Sequence, residues 1–192
     1  MTLLENLTEA LERPAPANLQ HGDLDGQPDA RHDAAVLVAI TDRPEPGAIL
    51  TVRREHLRAH AGQIAFPGGR LDPGENHVAA ALREAWEEIA LDPEQVQVIG
   101  SADPYRTITG YRVVPIVGVI PPGLDLAPHE AEVAELFEAP LSFLLDPANH
   151  RRMSAEFQGA TRHYWQIDWQ DRRIWGATAA MIVNLARRME LA

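Results

Sequence analysis

Apolar positions along the chain fall into two kinds of pattern. "AAVLVAIT" (34–41) and "AILTVRR" (48–54) are nearly continuous apolar runs joined by "DRPEPG", which predicts a β-hairpin. "QVQVIGSA" (95–102) and "YRVVPIVGVI" (111–120) predict further strands. Pro115 inside the second favours an edge or a bulge, because proline cannot donate to a ladder. "AEVAELFEAPLSFLLD" reads as a strand followed by a short helix, and "AEFQGATRHYWQIDWQDRRIWG" as two strands around turns. Helical spacing appears in "MTLLENLTEALERP", from about Asn76 to Ala90, and in "ATAAMIVNLARRM", where Met181, Leu185 and Met189 share one side. Residues 14–33, rich in Pro, Gly and Asp, predict an exposed lead-in loop. Strands and helices that do not alternate regularly predict an α+β fold, with helices packed on a mixed sheet.

The helix over 76–90 has two faces. At 100° per residue, Val78, Leu82, Ala85 and Ile89 lie within about 60° of one another, a stripe suited to burial. Glu84, Glu87 and Glu88 occupy an arc of roughly 100° on the other side. Such crowding repels, and like charges at helical neighbours destabilise a helix by about 0.2–0.5 kcal/mol per pair. Arg83 stands four residues before Glu87, placed to neutralise it. Just upstream, the glycine-rich "FPGGRLDPGE" permits close backbone approach to a ligand and carries Glu75. Hard oxygen donors clustered without cysteine or histidine suit Mg²⁺ or Mn²⁺, bound through a few carboxylates and substrate phosphates.

Composition narrows the chemistry further. The 192 residues carry a formal net charge of −11, which argues against nucleic acid as a partner on a broad basic surface. Cysteine is absent, excluding thiol catalysis and zinc–cysteine sites. Lysine is absent too, so all 17 basic residues are arginine, and no P-loop lysine or Schiff-base lysine exists. The longest apolar stretch, "VVPIVGVIPP", falls short of the roughly 18–20 residues that span a bilayer, and the N-terminus has no signal-type apolar run. A cytoplasmic protein without a membrane partner is expected.

Spacing brings these features together. Gly69, five residues, Glu75, seven residues, then Arg83-Glu84-Ala85-Trp86-Glu87-Glu88-Ile89-Ala90-Leu91 resembles the Nudix box, G-x5-E-x7-R-E-U-x-E-E-x-G-U. Only the late glycine differs, replaced by Ala90; that alters helix termination, where alanine costs about 1 kcal/mol or shifts the turn. Upstream, "LTVRREHLRAHAGQIAFPGG" resembles the signature of the coenzyme A pyrophosphatase branch, LLTxR[SA]x3Rx3Gx3FPGG. Ile49 replaces its first leucine, and Arg54 stands where Ser or Ala is usual.

The resemblance implies a Nudix fold, a mixed sheet sandwiched between helices, with the chain 1–192 as one domain and 1–33 as its N-terminal helix and lead-in loop. It implies hydrolysis of a nucleoside diphosphate linked to another moiety, by water attack on phosphorus, with Mg²⁺ or Mn²⁺ as cofactor. Glu84 and Glu88 would be the main metal ligands, with Glu87 in the same cluster and Gly69 lending its carbonyl. Glu75 and Arg83 would support them. The general base would be a box glutamate, Glu87 or Glu88, or a later acid, Glu130 or Glu132. Arg53 and Arg58, with Gly68, would bind the phosphates of coenzyme A, for which arginine's planar fork is suited. The enzyme would act on this small molecule as a monomer or homodimer, with acyl-CoA and oxidised CoA as further substrates. The alternatives are ADP-ribose, a dinucleotide or a nucleoside triphosphate as substrate, or a nucleotide-sensing module that does not hydrolyse. His60 and His77 read as incidental, and Tyr105, Tyr111, Tyr164 and Trp165 as core.

Overall fold

The computed structural model describes residues 2–23, 29–54, 62–157 and 159–190. Its elements, in chain order, are α1 (Leu3–Glu12), β1 (His32–Thr41), β2 (Gly47–Arg53), β3 (Ile64–Ala65), β4 (Gly68–Arg70) and α2 (His77–Ile89). There follow β5 (Gln97–Ser101), β6 (Tyr105–Arg106), β7 (Tyr111–Ile120), β8 (Val133–Pro140), α3 (Leu141–Leu145), β9 (Arg151–Phe157), β10 (Ala160–Trp169), β11 (Arg172–Trp175) and α4 (Ala177–Arg188). This is the α+β architecture expected, and no described helix is long and apolar enough to cross a membrane.

The main sheet is mixed and has eight strands, in the order β3-β2-β1-β7-β5, with β4 beside β1, β6 beside β7 and β8 beside β2. β1 and β7 run parallel in register from His32↔Tyr111 to Thr41↔Ile120. β1 is buried on both faces, which explains its unbroken apolar run. Ala34, Val38 and Ile40 enter one core with Leu7, Ile167, Ile174 and the apolar side of α4. Ala35, Leu37 and Ala39 alternate into a second core with Ala80, Ala81, Ala85 and Ile89 of α2. Helices therefore cover both faces of the sheet.

The hairpin of β1 and β2 is real but short: they pair at Ile40↔Ala48 and then part. Into the fork come β4, paired to β1 at Ala34–Val36, and β3, paired to β2 at Thr51 and Val52. This divergence delivers the glycine-rich loop to the side of α2, the feature that positions the site.

Three expectations change. Pro115 lies in an interior strand, paired on both sides, and no edge is needed. Its carbonyl accepts from the Ala102 N–H, so its donor-less nitrogen faces the gap where β7's antiparallel neighbour switches from β5 to β6. The region 155–176 forms part of a three-stranded antiparallel sheet, β9–β10–β11, because the ladder begins at Arg151. The lead-in segment is anchored where it is described: Leu19 is buried, Asn184 accepts from the Gln20 N–H at 3.0 Å, and the Tyr105 hydroxyl donates to Asp23 at 2.7 Å. Asp23 is the reason Tyr105 can be fully buried, and burial first, then this carboxylate, pushes the phenol above its usual pKa. On the far side Arg188 pairs with the buried Asp103 and donates to the carbonyls of Ala10, Leu11 and Arg13, tying the end of α1 to α4.

Candidate active site

α2 carries the acidic cluster, and both its ends are fixed by local bonds. Asn76 caps the start, its side chain accepting from the Ala79 N–H at 2.9 Å. Ala90 ends the helix in the left-handed region, φ 55° and ψ 30°, donating to the Trp86 carbonyl at 3.0 Å. The turn has not shifted, so alanine bears the steric penalty glycine would avoid. The loop before β8 completes the cap: the Ala127 and His129 N–H groups donate to the carbonyls of Ile89 and Glu88. Ala90→Gly is expected to raise stability by roughly 0.5–1 kcal/mol. Thermal unfolding should show a rise of roughly 1–4 °C.

Burial of α2 is broader than the predicted stripe. Ala80 and Ala81 are fully buried, Val78 and Leu82 only partly, and the covered arc includes Glu88. Glu88 is therefore not on a solvated face: it is 4% exposed. Its carboxylate accepts the Gly68 N–H at 3.1 Å and lies 3.4 Å from Arg53 Nη1. Burial pushes its pKa up to about 7; Gly68 and Arg53 oppose this, while the charges of Glu84 and Glu132 reinforce it. Glu84, half-buried, is raised in the same direction, first by burial. Glu87 is on the rim and mostly exposed, as is Trp86.

Arg83 is the latch of the cluster. It meets Glu75 at 3.0 Å, Glu84 at 2.9 Å and Glu87 at 3.3 Å, and donates to the Arg70 carbonyl. The Glu87 contact predicted from spacing exists, but Glu75 is the stronger partner: it raises Arg83 most, and Arg83 holds the Glu75 carboxyl below its usual range. Glu75 also accepts from the Asp72 N–H at 3.0 Å, locking the loop to the helix start.

The glycine strand packs against these carboxylates with no room to spare. A Cβ on Gly69 would stand 2.3 Å from Glu84 Oε1, and one on Gly68 would stand 2.3 Å from the Ala35 carbonyl. Glu132 is exposed, but its charge reaches both Glu84 and Glu88, and its carbonyl accepts the Arg54 N–H at 3.0 Å. Glu130 makes no such approach among the described residues. Arg58 and His60 lie outside the described residues. His77 sits 3.8 Å from Asp33, away from the cluster. Sequence reasoning missed the Nε atoms of Arg53 and Arg54, buried without a hydrogen-bond partner among the described residues; a second arginine in place of a small residue was the available signal.

The donor set fits a hard divalent cation. Glu84 and Glu88 flank the Gly68–Gly69 backbone, and the missing Cβ of Gly69 leaves carboxylate and main chain in close approach. Among the described residues no three acidic or histidine side chains yet stand as a complete metal cage. Mg²⁺ does not require one, since it keeps several waters and takes one or two carboxylates plus substrate phosphates.

The NUDIX domain profile matches residues 30–162, a span that holds the fork, the glycine strand and all of α2. The chain belongs to the Nudix hydrolase family. It is 46% identical over 154 residues to an uncharacterized Nudix hydrolase, NudL, of Escherichia coli O7:K1, covering 80% of each chain. It is 43% identical to the NudL of Enterobacter sp. strain 638, covering 81% of this chain and 82% of that one. Among solved structures, a Nudix hydrolase from M. smegmatis, RenU, superposes with a TM-score of 0.51 at 23% identity, over 66% of this chain and 81% of that one. A C. elegans Ap4A hydrolase in binary complex gives 0.50 at 22%, over 57% and 80%. At these identities both likenesses concern the Nudix fold alone. As a member of the family, the chain is a hydrolase of nucleoside diphosphate derivatives, an activity generally dependent on a divalent metal.

Proposed function

We propose that this Nudix hydrolase splits the diphosphate of coenzyme A into 3′,5′-ADP and 4′-phosphopantetheine. The observation that carries the reading is that both sequence motifs meet at one carboxylate. Arg53, from the upstream signature, stands 3.4 Å from Glu88 of the box, and Gly68, from "FPGG", donates to the same group.

In this reading Glu84 and Glu88, with the Gly69 carbonyl, would hold Mg²⁺ or Mn²⁺, and Glu87 would border the cluster. The ion, when bound, supplies charge neutralisation at the diphosphate and a lowered pKa for water. Arg53, and Arg58 by its position in the upstream signature, would contact the phosphate oxygens of the substrate. Water attacks one phosphorus, the bond from that phosphorus to the bridging oxygen breaks, and the water's proton passes to a carboxylate at the rim. Glu132 or Glu87, both exposed, would take this role, which typically contributes 10²–10⁴-fold. Arg83 and Glu75 position the helix. The helix α1 and the lead-in segment belong to the same catalytic domain in this reading, supported by Leu7 in the core shared with β1 and α4.

The test is a substrate panel with Mg²⁺ or Mn²⁺: coenzyme A, ADP-ribose, NADH and nucleoside triphosphates, with products separated by chromatography. Coenzyme A should give 3′,5′-ADP with a kcat/KM at least about tenfold above the others, a difference one charged phosphate contact suffices to produce. Faster turnover of ADP-ribose or a triphosphate would contradict the assignment to coenzyme A.

A further inference from the structure

A second concentration of charge lies on the opposite edge of the main sheet. The lead-in segment around residues 18–23, β6, β9, β10 and the end of α4 enclose a cavity of about 780 Å³. From β4 to β6 the path crosses β1 and β7, three strand spacings or about 14 Å, so the cavity is separate from the carboxylates. In a chain of net charge −11, its walls carry Arg106, Arg152, Arg162 and Arg187, with His21 and His163 between them. Among the described residues Asp23 is the one carboxylate in the lining, and it is engaged by the Tyr105 hydroxyl and the Ile108 N–H.

Two of these guanidiniums are held in place by groups that do not neutralise them. Arg152 and Arg187 lie 5.1 Å and 5.4 Å from the ring centre of Trp165. Gln20 Oε1 accepts from Arg152 at 2.8 Å and from the Trp165 indole at 2.7 Å, while the Asn18 carbonyl accepts from Arg187. Trp165 is therefore not simply core: it is a platform for two like charges. Burial, and then Arg152 itself, pull Arg187 below its ordinary pKa. Arg162 has its Nε buried without a hydrogen-bond partner among the described residues. Like charges converging in a concave wall focus a positive potential, and planar guanidiniums match phosphate oxygens in pairs.

We propose that this cavity is a second anion site, taking a small ligand with two or more adjacent phosphate charges. The source is either a free phosphorylated effector or a distal phosphate of the substrate. The site stands independently of the coenzyme A reading, because its probe needs no substrate and no metal.

The probe is inorganic pyrophosphate, titrated calorimetrically into the full chain in the presence of a chelator. Saturable binding at one site is expected, and Arg162→Gln and Arg152→Gln should each weaken it by about tenfold or more. Absence of saturable binding to the wild-type protein, or binding unchanged in both variants, would overturn the proposal. Kinetics with metal then assign the source. A distal substrate phosphate predicts that Arg162→Gln raises KM only for substrates carrying that phosphate, with kcat unmoved. A free effector predicts that pyrophosphate shifts turnover of all substrates alike in the wild type and not in the variant.

Discussion

Glu88→Gln should lower turnover by on the order of a thousandfold while the protein stays folded, because in the proposed mechanism the lost carboxylate would hold the metal and its removal costs several kcal/mol of charge stabilisation in the transition state. Glutamine keeps the shape and the acceptor for the Gly68 N–H. It removes a charge that burial disfavours, so the fold does not depend on it. The sign of the linkage can be followed in the metal-free protein. The folded pKa of Glu88, about 7, exceeds the ordinary 4.5, so the folded state prefers the neutral acid. The corresponding stability is complete below about pH 4.5 and is lost as pH rises through about 7. With a chelator present, thermal unfolding of the wild type should fall across that window, and the variant should show a flatter profile. Turnover by the variant within tenfold of the wild type would remove Glu88 from the machinery.

The adjacent glycines should fail in different ways. In Gly68→Ala the new Cβ meets backbone, the Ala35 carbonyl at 2.3 Å and Val36 Cα at 2.6 Å, both within the buried β1. Neither can move without breaking the β1–β7 register, so the expected loss is about 3 kcal/mol, the upper end of overpacking costs. That corresponds to a melting temperature lower by roughly 6–12 °C. In Gly69→Ala the Cβ meets the far end of a flexible side chain, the Glu84 carboxylate at 2.3 Å. Glu84 swings aside, stability changes by about 1 kcal/mol or less, and turnover falls by on the order of a hundredfold as the donor is displaced. Unfolding curves and kcat for both variants separate the two effects. Equal stability of the two variants would mean that β1 yields as readily as the Glu84 side chain.

Much of this was legible in the residues, and the physical reasons differ by element. β1 and β7 could be read because strands buried on both faces need unbroken apolar runs. α2 could be read from its helical spacing between about Asn76 and Ala90. Ala90 in the left-handed region was foreseen as a cost, and that backbone angle is what the structure carries. What remained hidden depends on partners distant in sequence. Glu88 fell outside the predicted buried stripe on a helical wheel, because nothing local shows that β4 is folded back over it through the β1–β2 fork. Residues 14–33 read as an exposed loop, since the groups that anchor Gln20 and Asp23 within it, Asn184, Tyr105 and Trp165, lie 82 or more positions away along the chain. The arginine cavity was invisible for the same reason: its walls come from five separate stretches.

The central claim is that Glu84 and Glu88 are crowded together to hold a divalent cation, and Mn²⁺ binding tests it without reference to any substrate. Titrating Mn²⁺ while recording the free-ion paramagnetic resonance signal gives the affinity of the wild-type protein and of Glu84→Gln/Glu88→Gln, with circular dichroism confirming that both are folded. The account predicts saturable binding by the wild type and an affinity at least about tenfold to a hundredfold weaker in the double variant. Equal Mn²⁺ affinity in the two proteins would contradict it.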